Sequence, residues 1–291
     1  MTLVSERKPR IAVVLGDPAG IGPELVGRLL ADPRSGAHAD LLLVADEDEL
    51  KRGMDLAGSC TPYRKVSSIA QLEPSSDRPQ LLAVDAALPQ SFQRGESSAE
   101  GGRSCLVALR LAIDCVLKGH AEAVLFAPLN KHSLHMAGME TSDELHWFVN
   151  QLGYTGPVCE FNVLDGLWTS RVTSHISLRE VPDQITPEGI ANAVDLIQAA
   201  MVGAGLARPR IAVCGLNPHN GDNGSFGREE IDVIAPAVEA ARARGLNVRG
   251  PFPADTIFLK VQGEQRQYDG VVTMYHDQGQ IAMKLMGFEQ G

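Results

Sequence analysis

The chain has no long apolar run, no paired-cysteine motif and no surplus of positive charge, and each absence removes a class of function. No stretch is apolar over enough length to span a bilayer. The N-terminal Met-Thr-Leu-Val-Ser-Glu-Arg-Lys has none of the apolar segment of a signal peptide. The five cysteines (Cys60, Cys105, Cys115, Cys159, Cys214) are odd in number, scattered and never in CxxC spacing. That argues against a disulfide scaffold or a thiolate zinc site and fits reduced thiols in a cytoplasm. Twenty-six Lys and Arg against 36 Asp and Glu leave a formal net charge of −10, the wrong sign for a nucleic-acid backbone. The glycines after the first apolar run do not fall in GxGxxG order, so no Rossmann fingerprint is present. There is no HExxH, no internal repeat and no low-complexity run.

At 291 residues, 44% hydrophobic and 21% charged, the chain has the make-up of a soluble globular protein with one large or two modest domains. Apolar runs at 10–15, 41–44, 81–84, 123–128, 209–214 and 271–274 read as buried strands. Helical patterns follow Gly16-Asp-Pro-Ala-Gly-Ile-Gly-Pro-Glu24 through about residue 30, and then lie near 47–57, 105–117, 131–137 and 142–152. Another starts at Thr186-Pro-Glu-Gly, where Thr can cap and Pro suits the first helical position. A further helix over 228–244 should break or kink at Pro236. Residues 90–104 are polar and glycine-rich and read as a surface loop. Strands at 157–162 and 167–174, joined by Val163-Leu-Asp-Gly166, read as a hairpin. Strands alternating with helices predict a three-layer α/β/α protein with a mostly parallel sheet.

Three of the predicted strands run out into histidine: His175 after Arg-Val-Thr-Ser, His219 after Ile-Ala-Val-Cys-Gly-Leu-Asn-Pro, and His276 after Val-Val-Thr-Met-Tyr. In open α/β sheets ligands bind beyond the carboxyl ends of the strands. Three imidazoles at equivalent strand ends could therefore converge on a divalent metal with an open position, although each one alone also fits an ordinary hydrogen-bonded loop. Asp255 and Asp277 are candidate bases or partners that orient an imidazole, and Asp255 could equally cap a helix. Lys131 and Lys284 could neutralise an anionic substrate or lie on the solvated surface. The other five histidines (His38, His120, His132, His135, His146) read as surface or helix residues.

Six stretches, GDPAGIGPE (16–24), APLNK (127–131), SHISLREVPDQIT (174–186), LNPHNGDNGSFGREE (216–230), GPFPADTIF (250–258) and YHDQGQIAMKLMGF (275–288), resemble the 4-hydroxythreonine-4-phosphate dehydrogenase family in order along nearly the whole chain. The resemblance implies an isocitrate/isopropylmalate dehydrogenase-like fold and a homodimer with its site near the dimer interface. It also implies NAD or NADP as cofactor and a divalent metal (Zn, Co, Mg or Mn) held by three histidines, which here fall on His175, His219 and His276. Lys284 falls on the family's substrate-contacting lysine. Asp255, Asp277 or Lys131 would take the proton from the hydroxyl, and decarboxylation would follow if the product is a β-keto acid. The nicotinamide-binding residues are not identified.

Two departures qualify the resemblance. Where the family carries a His-Thr pair for the substrate phosphate, ungapped counting places Glu144 and Leu145. A carboxylate repels phosphate and leucine donates no hydrogen bond, so the pattern turns attention to the paralogous threonate/erythronate 4-phosphate dehydrogenases and to the cis-dihydrodiol carboxylate dehydrogenases. Family chains also continue past position 291 with residues of the site, so the sequence is read as truncated or incomplete there. The expected partners are a small anionic substrate and a second copy of the chain, with no nucleic acid and no membrane, in the cytoplasm. The expected division is a first α/β subdomain over 1–128 joined by 250–291, and a second over 129–249 with the dimer contacts. A metal-dependent hydrolase or an inactive binding protein are the readings from other classes.

Overall fold

The computed structural model describes residues 8–73, 76–85, 88–141, 143–263 and 265–287. The chain divides into two compact units, Met1–Tyr154 and Thr155–Gly291, and each is an α/β/α layering of its own.

In the first unit β1 (Arg10–Val14), β2 (Asp40–Ala45), β3 (Arg64–Val66), β4 (Gln80–Ala83) and β5 (Ala123–Phe126) form a parallel sheet in the order β3-β4-β2-β1-β5. Successive strand residues point to opposite faces. Val13, Leu41, Leu43 and Leu81 therefore pack on Val26 and Leu30 of α1 (Gly22–Ala31) and on Leu50 and Met54 of a further helix. Their neighbours Ala12, Val14, Leu42, Val44 and Leu82 face Cys105, Leu109 and Ala112 on the other side. Each fully buried Leu or Val contributes roughly 1.5–3 kcal/mol relative to exposure. A short α2 (Ser35–His38) follows α1, and α3 (Glu47–Leu56) supplies the Leu50 and Met54 face.

The helix on the second face, α4, runs from Ala99 to Leu117. It corrects the expectation of a surface loop over 90–104. Ser98 caps it by accepting from Gly101 N at 3.0 Å. Gly101 and Gly102 are buried, and a Cβ on Gly102 would lie 1.9 Å from the Ser133 carbonyl oxygen. These glycines mark a close approach of α4 to α5 (Lys131–Met136) rather than a flexible segment. The unit closes with α6 (Glu144–Leu152), capped by Asp143.

In the second unit β6 (Asn162–Leu164), β7 (Leu167–Arg171), β8 (Ile211–Cys214), β9 (Val248–Phe252) and β10 (Gly270–Thr273) are ordered β6-β7-β10-β8-β9, and only β6 runs antiparallel. The β6–β7 hairpin turns at Asp165 and Gly166, both with positive φ (46° and 75°). The turn is where Asp-Gly predicted it, but the first strand lies at 162–164 rather than 157–162. One core joins Ile211, Val213, Val272 and Met274 to α7 (Val181–Gln184), α8 (Pro187–Gly203) and α9 (Ala235–Ala243). The other joins Ala212, Cys214 and Val271 to α10 (Ala254–Ile257) and α11 (His276–Gly287).

Thr186 caps α8 through Gly189 N, as its Thr-Pro start predicted. The 228–244 helix is interrupted one residue before Pro236: a π-turn over Glu230–Ile234 hands on to α9, and Pro236 sits in the first turn of α9, where its missing N–H costs nothing. The expected division at 128/129 is displaced to 154/155. Residues 250–291, expected to join the first subdomain, belong to the second, because β10 inserts between β7 and β8.

Candidate functional site

Since β7, β10 and β8 are adjacent and parallel, whatever follows each strand emerges along one edge of the second sheet. His175 follows β7, His276 follows β10 and His219 follows β8. The three exits are tied together. Thr173 donates to the Met274 carbonyl from both its backbone N (3.1 Å) and its Oγ1 (2.8 Å). Gln278, in the first turn of α11, accepts from Met274 N at 2.7 Å and donates from Nε2 to the Gly215 carbonyl at 2.8 Å. Gly215 N in turn donates to Phe252 O at 2.8 Å.

His175 and His276 stand side by side with ring centroids 5.7 Å apart and planes inclined by 38°. The Asp277 carboxylate lies 2.7 Å from Nδ1 of His276. A carboxylate accepts, so Nδ1 is the donor in this contact, the arrangement in which a carboxylate orients a metal-ligating imidazole. His175 holds a left-handed backbone (φ 50°), a conformation uncommon outside glycine and concentrated at functional positions. Beside the two rings is a cavity of about 270 Å³, apolar along Ile176, Leu178 and Tyr275 and polar at His175, His276 and Asp277.

His219 opens a run of five left-handed residues, His219 to Asn223, with φ between 43° and 76°. It is exposed and is not gathered with the other two imidazoles. Among the described residues, no group of three or more His, Cys, Asp or Glu side chains is placed to hold a metal ion. Imidazole is a donor that first-row divalent ions accept. His175 and His276 thus fit two places of such a donor set, with Asp277 behind one ring.

A larger cavity, about 930 Å³, is elsewhere. It lies at the opposite, amino-terminal end of the second sheet, lined by Arg210, Arg266, Asp269 and Leu285 among others. It has no histidine, and its two arginines are already engaged. Arg210 donates to both Asp269 carboxylate oxygens, and Arg266 donates to the Asp165 carbonyl.

Residues 37–291 match the family model of the pyridoxal phosphate biosynthetic protein PdxA. The chain belongs to the PdxA family. It is 59% identical over 283 residues to a putative 4-hydroxythreonine-4-phosphate dehydrogenase 2 of Pseudomonas aeruginosa, a match covering 97% of this chain and 84% of the relative. It is 34% identical to a D-threonate 4-phosphate dehydrogenase of Salmonella typhimurium, covering 97% and 85%. The crystal structure of a 4-hydroxythreonine-4-phosphate dehydrogenase from Klebsiella pneumoniae superposes with a TM-score of 0.84 at 35% identity, over 99% of this chain and 86% of that one. The PdxA fold is thus the fold of both units.

The other residues that the sequence singled out are more dispersed. Asp255 is exposed in the first turn of α10, and Lys284 is exposed in the last turn of α11. Lys131 begins α5, and its Nζ lies 3.7 Å from Glu144 Oε2 at the start of α6. Leu145 beside it is half-buried. The GDPAGIGPE loop of this PdxA-family chain is held by side chains the sequence did not flag. Arg94 donates to both Glu49 carboxylate oxygens (2.7 and 2.6 Å) and to Pro18 O (2.6 Å), and the Glu49 carboxylate raises the pKa of its guanidinium. Asp17 is buried with Oδ1 accepting from Ala19 N at 2.8 Å. Nothing in the spacing of Glu49 and Arg94, 45 residues apart, announces their contact. Gln278 was visible within the HDQG motif, but its reach to Gly215 was not.

Proposed function

We propose that this PdxA-family chain is a metal-dependent NAD(P) dehydrogenase that oxidises a secondary hydroxyl of a small anionic hydroxy acid. The observation that carries the reading is the His175–His276 pair, with Asp277 on Nδ1 of His276, at the carboxyl ends of adjacent parallel strands. His175, His276 and His219 would hold the divalent ion, which supplies Lewis acidity that lowers the pKa of the substrate hydroxyl. Asp277 keeps the His276 ring turned with Nε2 outward, so it acts as the orienting group. The hydroxyl proton then goes to Asp255, and the hydroxyl carbon gives a hydride to the nicotinamide and becomes a ketone. Lys284 binds the anionic group of the substrate. The family resemblance supports a homodimer, and five cysteines without a disulfide suit the cytoplasm.

The relatives are named for phosphorylated substrates, 4-hydroxythreonine 4-phosphate and D-threonate 4-phosphate. The Lys131–Glu144 contact favours a second reading, in which the acid carries no phosphate. Glu144 already pairs with Lys131 near the start of α6, and its carboxylate would repel a phosphate there. The deciding experiment is a spectrophotometric panel. The chain is loaded with Co²⁺ or Zn²⁺ and given NAD or NADP with either phosphorylated acid or with unphosphorylated D-threonate. Reduced-nicotinamide absorbance that disappears with EDTA supports the dehydrogenase, and the substrate that gives it separates the two readings. No absorbance with any of them sinks both.

A further inference from the structure

β9 ends the order of the second sheet, so one of its edges has no strand beside it. A cavity of about 530 Å³ is lined by Arg249 and Phe252 of this strand, Glu239 and Arg242 of α9, and Lys260 and Tyr268 from the segment between α10 and β10. The pairing of β9 with β8 takes two steps from Ala212 to Cys214 against three from Arg249 to Phe252. Such a bulge reverses the alternation of side chains, so Arg249 and Phe252 fall on the same face of β9. Gln267 N donates to Lys260 O at 2.8 Å and closes the loop that leads back to β10. Lys260 Nζ stands 5.2 Å from the centre of the Phe252 ring, a cation–π contact. On the same ring Tyr268 packs at 5.4 Å.

The charge here runs against that of the chain. The formal net charge overall is −10, yet the cavity gathers Arg242, Arg249 and Lys260 with Glu239 as the carboxylate among them. Glu239 pairs with Arg242 at 2.7 Å. Among the described residues, Arg249 and Lys260 have no carboxylate partner. Tyr268 is 8% exposed, and among the described residues its hydroxyl has no hydrogen-bond partner. A buried tyrosine hydroxyl normally finds one, and the cavity is a side from which a partner can come. Edge strands often carry cations and proline that keep other strands away, and Arg249 and Pro251 suit that role. It requires neither an ammonium held on a ring nor an unpaired hydroxyl on a buried residue.

We propose that this cavity binds a small dianion, a phosphate ester or a dicarboxylate, with Arg249 and Lys260 holding its charge and the Tyr268 hydroxyl donating a hydrogen bond to it. The planar fork of arginine matches the paired oxygens of either group, and lysine adds a point charge beside it. The volume is that of a small-molecule pocket, which runs from about 300 to about 1,000 Å³. The site is separate from the histidine pair: no described residue lines both cavities. It therefore requires no metal and stands whether or not the dehydrogenase reading does.

The test is isothermal titration of the full chain, with EDTA present and at low ionic strength, using inorganic phosphate, glycerol 3-phosphate and succinate as probes. At least one is expected to bind at one site per chain with a Kd below about 1 mM, and the tightest of them tells phosphate from dicarboxylate. R249Q and K260Q are each expected to weaken it about tenfold or more, the scale of a hydrogen bond to a charged group. Y268F is expected to weaken it about threefold or more. Arg249 and Lys260 are exposed, so their variants should fold and melt as the wild type does. R28Q, which removes an exposed cation of α1, changes the net charge by the same amount and should keep the wild-type Kd. No binding below about 1 mM with any of the three probes overturns the proposal and leaves the cations only to blunt the edge of β9. Binding that either R249Q or K260Q leaves within twofold of wild type puts the anion elsewhere and overturns it too.

Discussion

The side-chain amide of Gln278 donates to the backbone carbonyl of Gly215 at 2.8 Å across 63 residues of sequence. Its oxygen accepts from Met274 N at 2.7 Å. One side chain thus joins the exit of β10, which leads to His276, to the exit of β8, which leads to His219. A hydrogen-bonded brace of this kind fixes the relative position of two loops better than packing of exposed side chains can.

Gln278→Ala should act on stability and site together. It leaves Met274 N and Gly215 O without their partner, at roughly 1–3 kcal/mol for each group that water cannot reach. We expect the urea midpoint to fall and Co²⁺ affinity to drop. Gln278→Glu keeps an acceptor for Met274 N but sets an oxygen against Gly215 O, so it should lose metal affinity with a smaller loss of stability than the alanine. Equal Co²⁺ affinity in wild type and both variants would show that the brace does not place the histidines.

Asp277 offers a cleaner separation of site from fold. Its side chain is 71% exposed, and it pairs with Nδ1 of His276. Asp277→Asn should leave the melting temperature within a degree or two, because an exposed pair of this kind contributes about 0–1 kcal/mol. The amide can still accept from Nδ1–H, but it lacks the carboxylate's charge. Metal affinity should fall about tenfold or more, measured by calorimetry against the wild type.

Gly102 tests the packing of α4 on α5. A Cβ there would come within 1.9 Å of Ser133 O and 2.9 Å of the Ala137 side chain. Both neighbours belong to or adjoin a helix whose backbone cannot yield locally, so the two helices must separate. Gly102→Ala should cost roughly 1–3 kcal/mol or more, the range for overpacked cores. Gly36→Ala, with nothing within 4 Å of its added methyl and no left-handed φ, should be neutral or slightly stabilising. Chemical denaturation of the two variants gives the comparison. A G102A protein as stable as G36A would rule out the close approach.

The exits of β8 and β10 were legible in the sequence because each strand is a short apolar run that stops at polar residues, and that of β7 because it is the second strand of an Asp-Gly hairpin; His219, His276 and His175 stand just past those stops. What lay outside the reach of pattern was non-local. β10 is the last strand in sequence yet lies in the middle of the second sheet, and no local signal shows that 250–291 belongs with β7 and β8. Gly101 and Gly102 read as loop residues because a glycine chosen for close helix approach looks the same as one chosen for flexibility. β3 and β9 are edge strands, with two of three residues exposed in β3 and a cis proline bond in β9, so neither shows the apolar alternation that marks a strand. Glu230 ends an Arg-Glu-Glu run that reads as a solvated helix start, and only its burial and its bonds from Leu216 N and Asn217 N reveal it as the centre of the His219 loop.

Stability toward acid should report on Asp269, at the far end of the same sheet. Arg210 donates to its carboxylate from Nε (3.0 Å) and Nη2 (2.8 Å), and the Arg210 backbone N donates as well (2.9 Å). These bonds, the guanidinium first, hold the Asp269 carboxyl below its ordinary value despite partial burial. A carboxyl with a depressed folded pKa binds fewer protons folded than unfolded, so it stabilises the fold at pH above the unfolded value of about 3.9. That contribution is lost as pH falls through the folded value. The half-exposed guanidinium is screened by solvent, so the contribution at neutral pH should be only about 1 kcal/mol. Urea midpoints of wild type and Asp269→Asn, measured from pH 7 to pH 2.5, should therefore differ at neutral pH and converge at the acid end. A gap that stays constant down to pH 2.5 would mean that Asp269 acts through its shape and not through its charge.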